Sequence, residues 1–415
     1  MGAFSVFKDR KKEKVSDAGT YYHSLGTVSA IAKYICLFLC LIVLLYGFSF
    51  RTDEINSDNF RYLFNYLGEG EANAETYKTI YFDSNDKNRF AIVRGDLAVA
   101  NDSGSAVYTL AGARRSVDST LKFDSPRILA SAKYMYIYDL GGSDLVIKSP
   151  VETIHTVGYH YPIRGVSVTD SGRFVVISEE KTSRSSVYVY DDSFRVIYDC
   201  SYGSLYTLSA DISDSTDRLL TASVETEGGD FLTTLYLYSL NSKEPVIKQL
   251  ISGEYPYKTA FTEDGGFFLL TDKSVRFYNR NADLVSTCEF GKEGISSYSA
   301  GKKYFIRNRS LSALSPAAKV EIYSTADGKK VWEREFPAGV RFTKSYGSYI
   351  FIASGSVITI VTPRDGNEKS FEDKDETVDI LWIDEDKVLK LSKGMANVFE
   401  FGEMFEHEEE NSWAQ

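Results

Sequence analysis

Cysteine is scarce in this chain. Four residues in 415 are too few for a scaffold built on disulfides. Histidine is scarcer in effect: of the four, His23 and His407 lie near the ends, leaving only His155 and His160 between them. A pair without a third ligand is a poor basis for a metal centre. No Gly-x-Ser-x-Gly elbow, Walker loop or His-Glu-x-x-His occurs, so the common signatures of serine hydrolases, nucleotide-binding loops and zinc proteases are missing. Basic residues do not predominate either. With 58 acidic against 47 basic side chains the net charge is −11, which argues against a nucleic-acid partner. Proline is limited to 8 residues, whereas Tyr (29) and Phe (26) are abundant, a balance that leans toward β-structure.

One apolar run stands out. Residues 34–50 (YICLFLCLIVLLYGFSF) carry no charge. With the turn from Val28 they predict a signal-anchor helix over 28–50, just long enough for a hydrocarbon core of about 30 Å. The basic leader, residues 1–27, together with Lys33, predicts a cytoplasmic N-terminus by the positive-inside rule. The expected location is therefore the cell membrane, single-pass, with the remainder extracytoplasmic. Within residues 51–75, Phe60, Leu63, Phe64 and Leu67 fall at helical spacing, which predicts a short juxtamembrane helix and a stalk.

From residue 76 the chain repeats. A short strand, often ending in an aromatic residue, recurs at 107–110 (VYTL), 145–148 (LVIK), 187–190 (VYVY) and 235–238 (LYLY). It continues at 275–278 (VRFY), 320–323 (VEIY), 357–360 (VITI) and 398–401 (VFEF). Successive starts are 38, 42, 48, 40, 45, 37 and 41 residues apart, a period that belongs to propeller blades. A second mark precedes several of these, as in 168–177 (VTDSGRFVVI), 261–270 (FTEDGGFFLL) and 212–221 (ISDSTDRLLT). It joins two strands through an acidic tight turn.

That turn resembles the one between the first two strands of WD40-like blades. Residues 322–332 (IYSTADGKKVW) resemble a quinoprotein-like blade, whose last two strands bracket an Asp-Gly turn. The leader, anchor, stalk and propeller together resemble membrane-anchored propeller proteins of Gram-positive, clostridial-type bacteria, a resemblance that brings no activity with it. The expected fold is all-β: an eight-bladed β-propeller over 76–402, with seven blades as the alternative and an acidic tail at 403–415. Unit eight supplies only three strands, so the strand at 76–82 is expected to complete it. This places Tyr77, Ile80 and Phe82 against Val398 and Phe399 and hides both edges of the ring.

A propeller is a scaffold, so function has to come from sites. The quinoprotein resemblance implies an adjacent cysteine pair and a calcium loop. Cys200 and Cys288 are 88 residues apart, and no Asp-x-Asp-x-Asp-Gly loop exists. No cofactor, metal or catalytic residue is expected, and no motif identifies a small-molecule ligand. The recurrent Tyr188, Tyr190, Tyr236, Tyr238, Tyr278 and Tyr323 are read as packing between blades. Tyr159, His160 and Tyr161, with Tyr255 and Tyr257, fall between blades and form the candidate contact surface. The expected function is a non-catalytic scaffold binding a protein or cell-envelope component. One alternative is an envelope hydrolase or lyase using channel carboxylates; another is a sensor coupled to a cytoplasmic partner.

Overall fold

The computed structural model describes residues 28–42 and 77–402. The chain divides into two units, Met1–Gly70 and Glu71–Gln415. In the first, residues 28–42 form a helix with Cys36 and Cys40 exposed one turn apart. Its fifteen residues rise only about 22 Å. Among the described residues no helix is long and apolar enough to cross a membrane. This overturns the expected single-pass anchor and the membrane location drawn from it. The leader (1–27), the end of the apolar run (43–50), the juxtamembrane helix and stalk (51–75) and the tail (403–415) lie outside the described residues.

The second unit is built from eight four-stranded antiparallel sheets. Seven follow chain order, beginning with Arg89–Val93, Asp96–Asn101, Gly104–Tyr108 and Arg114–Asp118 as blade 1. Blade 8 takes three strands from Asp379–Asp384, Lys387–Ser392 and Met395–Glu400, and its fourth from Ile80–Tyr81. All eight recurrent sequence marks begin within the third strand of a blade. Third strands lie between two neighbours and are covered on both faces, as in Ser274–Tyr278, where every residue but Arg276 is buried. Fourth strands show the alternation of an exposed edge, as in Leu284–Glu289.

The core lies between blades. Eight apolar clusters occur among the described residues, each spanning two neighbouring blades. One joins Leu389 and Leu391 of blade 8 to Leu97 and Val99 of blade 1, so the circle is complete. Phe174 stacks on Tyr190 at 4.5 Å and Phe267 on Tyr278 at 4.7 Å. Each such buried ring contributes about 1.5–3 kcal/mol. Tyr190, Tyr236, Tyr238, Tyr278 and Tyr323 are buried as expected, while Tyr188 is half-exposed. The acidic turns join first and second strands, with Gly172 and Gly265 at φ +98° and +81°. Asp217 takes the corresponding left-handed geometry, φ +47°, which Asp tolerates.

The closing strand is shorter than the sequence predicts. Ile80 pairs with Ala396 and Tyr81 with Met395, and the Phe82 amide donates to the Gly394 carbonyl at 3.0 Å. Ile80, Phe82 and Val398 share the cluster between blades 8 and 1. Phe399 faces the other way and stacks on Phe371 of blade 7 at 4.3 Å. Tyr77 precedes the strand, exposed, with Lys387 Nζ 5.5 Å from its ring.

Candidate functional site

Alternating connections give the ring two faces. Links between blades, and the hairpins joining second to third strands, share one face; the remaining turns share the other. At the second face, Lys302 Nζ of blade 6 meets Asp170 Oδ2 of blade 3 at 2.5 Å. This ion pair joins the first turns of two blades three apart in the ring. On the first face, two cavities adjoin over blades 3 to 5.

The larger cavity, about 700 Å³, is lined by Arg164, Glu179, Arg184, Tyr206, Phe231 and Tyr255, among others. Arg164 Nε donates to Glu179 Oε1 at 2.8 Å, and the Arg184 guanidinium lies 4.9 Å from the Tyr206 ring centroid. Glycines 228 and 229, both at positive φ, turn the hairpin that leaves Phe231 exposed at the rim. The Phe231 and Tyr255 rings meet edge to face at 5.2 Å. Tyr255 is held in place, because its amide donates to Asp272 Oδ1 at 2.8 Å. The preceding Glu254 accepts from Arg276 Nη1 and Nη2, each at 2.7 Å. Burial raises the Glu254 pKa, but these bonds and those from Thr271 and Ser274 outweigh it, leaving it at about 2.

The smaller cavity, about 420 Å³, is lined by Tyr159, His160, Tyr161, Glu180, Tyr188 and Tyr190, and shares Glu179 with the larger one. Tyr159 Oη donates to Tyr190 Oη at 2.8 Å, and Tyr188 Oη donates to Glu180 Oε1. Burial pushes the Tyr159 and Tyr188 hydroxyls far above their usual range, and the Glu180 carboxylate adds to the effect at Tyr188. At neutral pH these phenols are therefore protonated donors and not bases or nucleophiles. The carboxylates of the larger cavity are also engaged: Glu179 by Arg164, and Glu225 by Ser204 Oγ at 3.2 Å. The arrangement offers aromatic faces, guanidinium groups and directed hydroxyls, which suits binding.

The structure places Tyr159, His160 and Tyr161 at the smaller cavity and Tyr255 at the larger. Tyr257, exposed on the first strand of blade 5, touches Tyr255 with ring centroids 5.9 Å apart. The two groups share a face and stand either side of Glu179. Tyr159 is turned further inward than a contact residue would be, whereas His160 is exposed. Arg184, Tyr206 and Phe231 were missed. Their one sequence signal is the Gly-Gly hairpin before Phe231, since Tyr206 opens a strand whose pattern resembles its neighbours. His155 stacks on Phe194 at 5.3 Å. Among the described residues no group of three or more His, Cys, Asp or Glu side chains could hold a metal.

A family model described as "Family of unknown function (DUF5711)" matches residues 71–396. The chain belongs to this family. The match takes in nearly the whole DUF5711 ring, from before the closing strand to within the last one. No curated protein matches the sequence. Among solved structures, Sqt1 of Saccharomyces cerevisiae is similar, with a TM-score of 0.57 and 12% identity over 78% of this chain and 98% of that one. The C-terminal WD40 domain of Sif2 is similar too, with a TM-score of 0.52, 12% identity and the same coverage. At that identity the likeness carries the fold alone: the DUF5711 ring is a WD40-type β-propeller.

Proposed function

We propose that this protein is a non-catalytic binding scaffold that holds an extended segment of a protein partner in the double groove over blades 3 to 5. The carrying observation is the junction at Glu179, where cavities of about 700 and 420 Å³ meet on one face. Cavities of this size fall within the range of ligand sites. Their lining of Tyr, Arg and Phe matches the residue types that dominate protein contacts. A peptide laid across the junction would meet aromatic rings on both sides and a cation of either Arg164 or Arg184 between them.

The test uses the full-length chain as bait for a displayed library of random dodecapeptides, beside the double variant Arg184→Ala/Tyr206→Ala. The reading expects enriched peptides carrying aromatic and acidic residues, bound about tenfold or more weaker by the variant. If the variant selects the same peptides with equal affinity, or nothing is enriched, the reading fails.

A further inference from the structure

A third cavity, about 390 Å³, opens on the same face at the seam where the ring closes. Its walls come from the link after the closing strand, the second hairpin of blade 8 and the first strands of blades 1 and 2. Two arginines at the entry of those adjacent first strands, Arg89 and Arg127, border it. Among the described residues neither has a carboxylate within ion-pair distance. Arg89 Nη1 donates to the carbonyls of Asn88 (2.8 Å) and Asp86 (3.4 Å), and Arg127 Nη1 to that of Pro126 (3.1 Å). Among the described residues, the other nitrogens of both forks have no protein acceptor.

The two acids at the same cavity each face a lysine, and one of those lysines, Lys393, lines the cavity as well. Asp379 Oδ1 lies 3.0 Å from Lys344 Nζ, and Asp86 Oδ1 lies 3.9 Å from Lys393 Nζ. Arg89, Arg127 and Lys393 therefore outnumber Asp86 and Asp379 at this cavity, in a chain of net charge −11. Beside them is an apolar wall: Phe82 and Phe90 with ring centroids 5.3 Å apart, Ile128, and the exposed Val378. A guanidinium fork matches a carboxylate in two parallel hydrogen bonds, and its weak hydration suits a half-buried site. We propose that this seam cavity binds the carboxylate of an apolar acid, in the form of a peptide C-terminus ending in an apolar residue. The apolar wall takes the side chain and the two arginines take the carboxylate. This site is separate from the groove over blades 3 to 5, so either can fail alone.

Titration calorimetry of the full-length protein with N-acetyl-leucyl-phenylalanine, its C-terminal amide and inorganic phosphate provides the test. The acid is expected to bind at least about tenfold more tightly than either the amide or phosphate. Arg127→Gln and Arg89→Gln are each expected to weaken the acid about tenfold or more, the cost of losing a hydrogen bond to a charged group at a partly buried position. Should either fail to fold, Val378→Asp, a change at an exposed position, puts a charge into the wall that takes the apolar side chain and is expected to weaken binding similarly. Equal binding of acid and amide, phosphate binding as tight as the acid, no binding of the acid, or affinity unchanged in the variants would each overturn the proposal.

Discussion

Glu254 precedes Tyr255 of the larger cavity and anchors that link to blade 5, and Glu254→Gln measures what the anchor contributes to stability. Its carboxylate accepts from both Arg276 terminal nitrogens at 2.7 Å, from Thr271 Oγ1 at 2.6 Å and from Ser274 Oγ at 3.0 Å. Both partners of the ion pair are largely buried, at 13% and 15% exposure. A carboxyl held at about 2 instead of 4.5 corresponds to about 3 kcal/mol at neutral pH. Leaving Arg276 without its partner gives a cost in the same range, about 3–5 kcal/mol. Because the folded value lies below the unfolded one, the contribution is whole above about pH 4.5 and disappears as pH falls toward 2. Urea unfolding at pH 7 and pH 3 measures this directly. The wild type should exceed Glu254→Gln by about 3 kcal/mol at pH 7, with the gap narrowing by about 2 kcal/mol at pH 3. A gap below about 1 kcal/mol, or one independent of pH, would refute the reasoning.

Two further pairs of changes probe the ring. Ile80 is fully buried in the closing strand, so Ile80→Ala should cost about 2–4 kcal/mol in urea unfolding, while the exposed Tyr81→Ala should cost little. Gly328 adopts φ +66°, and a Cβ there would meet Ser286 Cβ at 2.6 Å and the Phe277 ring at 2.7 Å. Gly347 adopts φ +55° with open space around it. Gly347→Ala should therefore cost about 1–2 kcal/mol from backbone strain alone, and Gly328→Ala clearly more, as read by thermal denaturation of both.

The propeller was legible because its third strands are buried on both faces, which forces the same apolar and aromatic pattern every forty residues or so. Counting blades was harder at residues 342–372, where polar residues such as Lys344 and Ser345 dilute the pattern; the strands there nevertheless make a full sheet. The apolar run at 34–50 predicts a longer helix than the one described at 28–42, and residues 43–50 lie outside the described residues. Loop aromatics could be found by position, but their direction could not. Tyr159 turns in because Tyr190, a blade away, supplies its hydroxyl partner. Arg184 of blade 3 and Tyr206 and Phe231 of blade 4 line one cavity only once the two blades are side by side, and no local spacing records that. The seam arginines were equally invisible, because an unmatched charge shows only when every neighbour is placed.

The claim that the double groove is the binding surface is tested most directly by hydrogen–deuterium exchange of the full-length protein with a saturating selected peptide. Protection is predicted to concentrate at residues 158–164, 179–184, 204–208, 225–231 and 253–257. Protection confined to the face carrying the Lys302–Asp170 pair, or spread evenly around the ring, would contradict it.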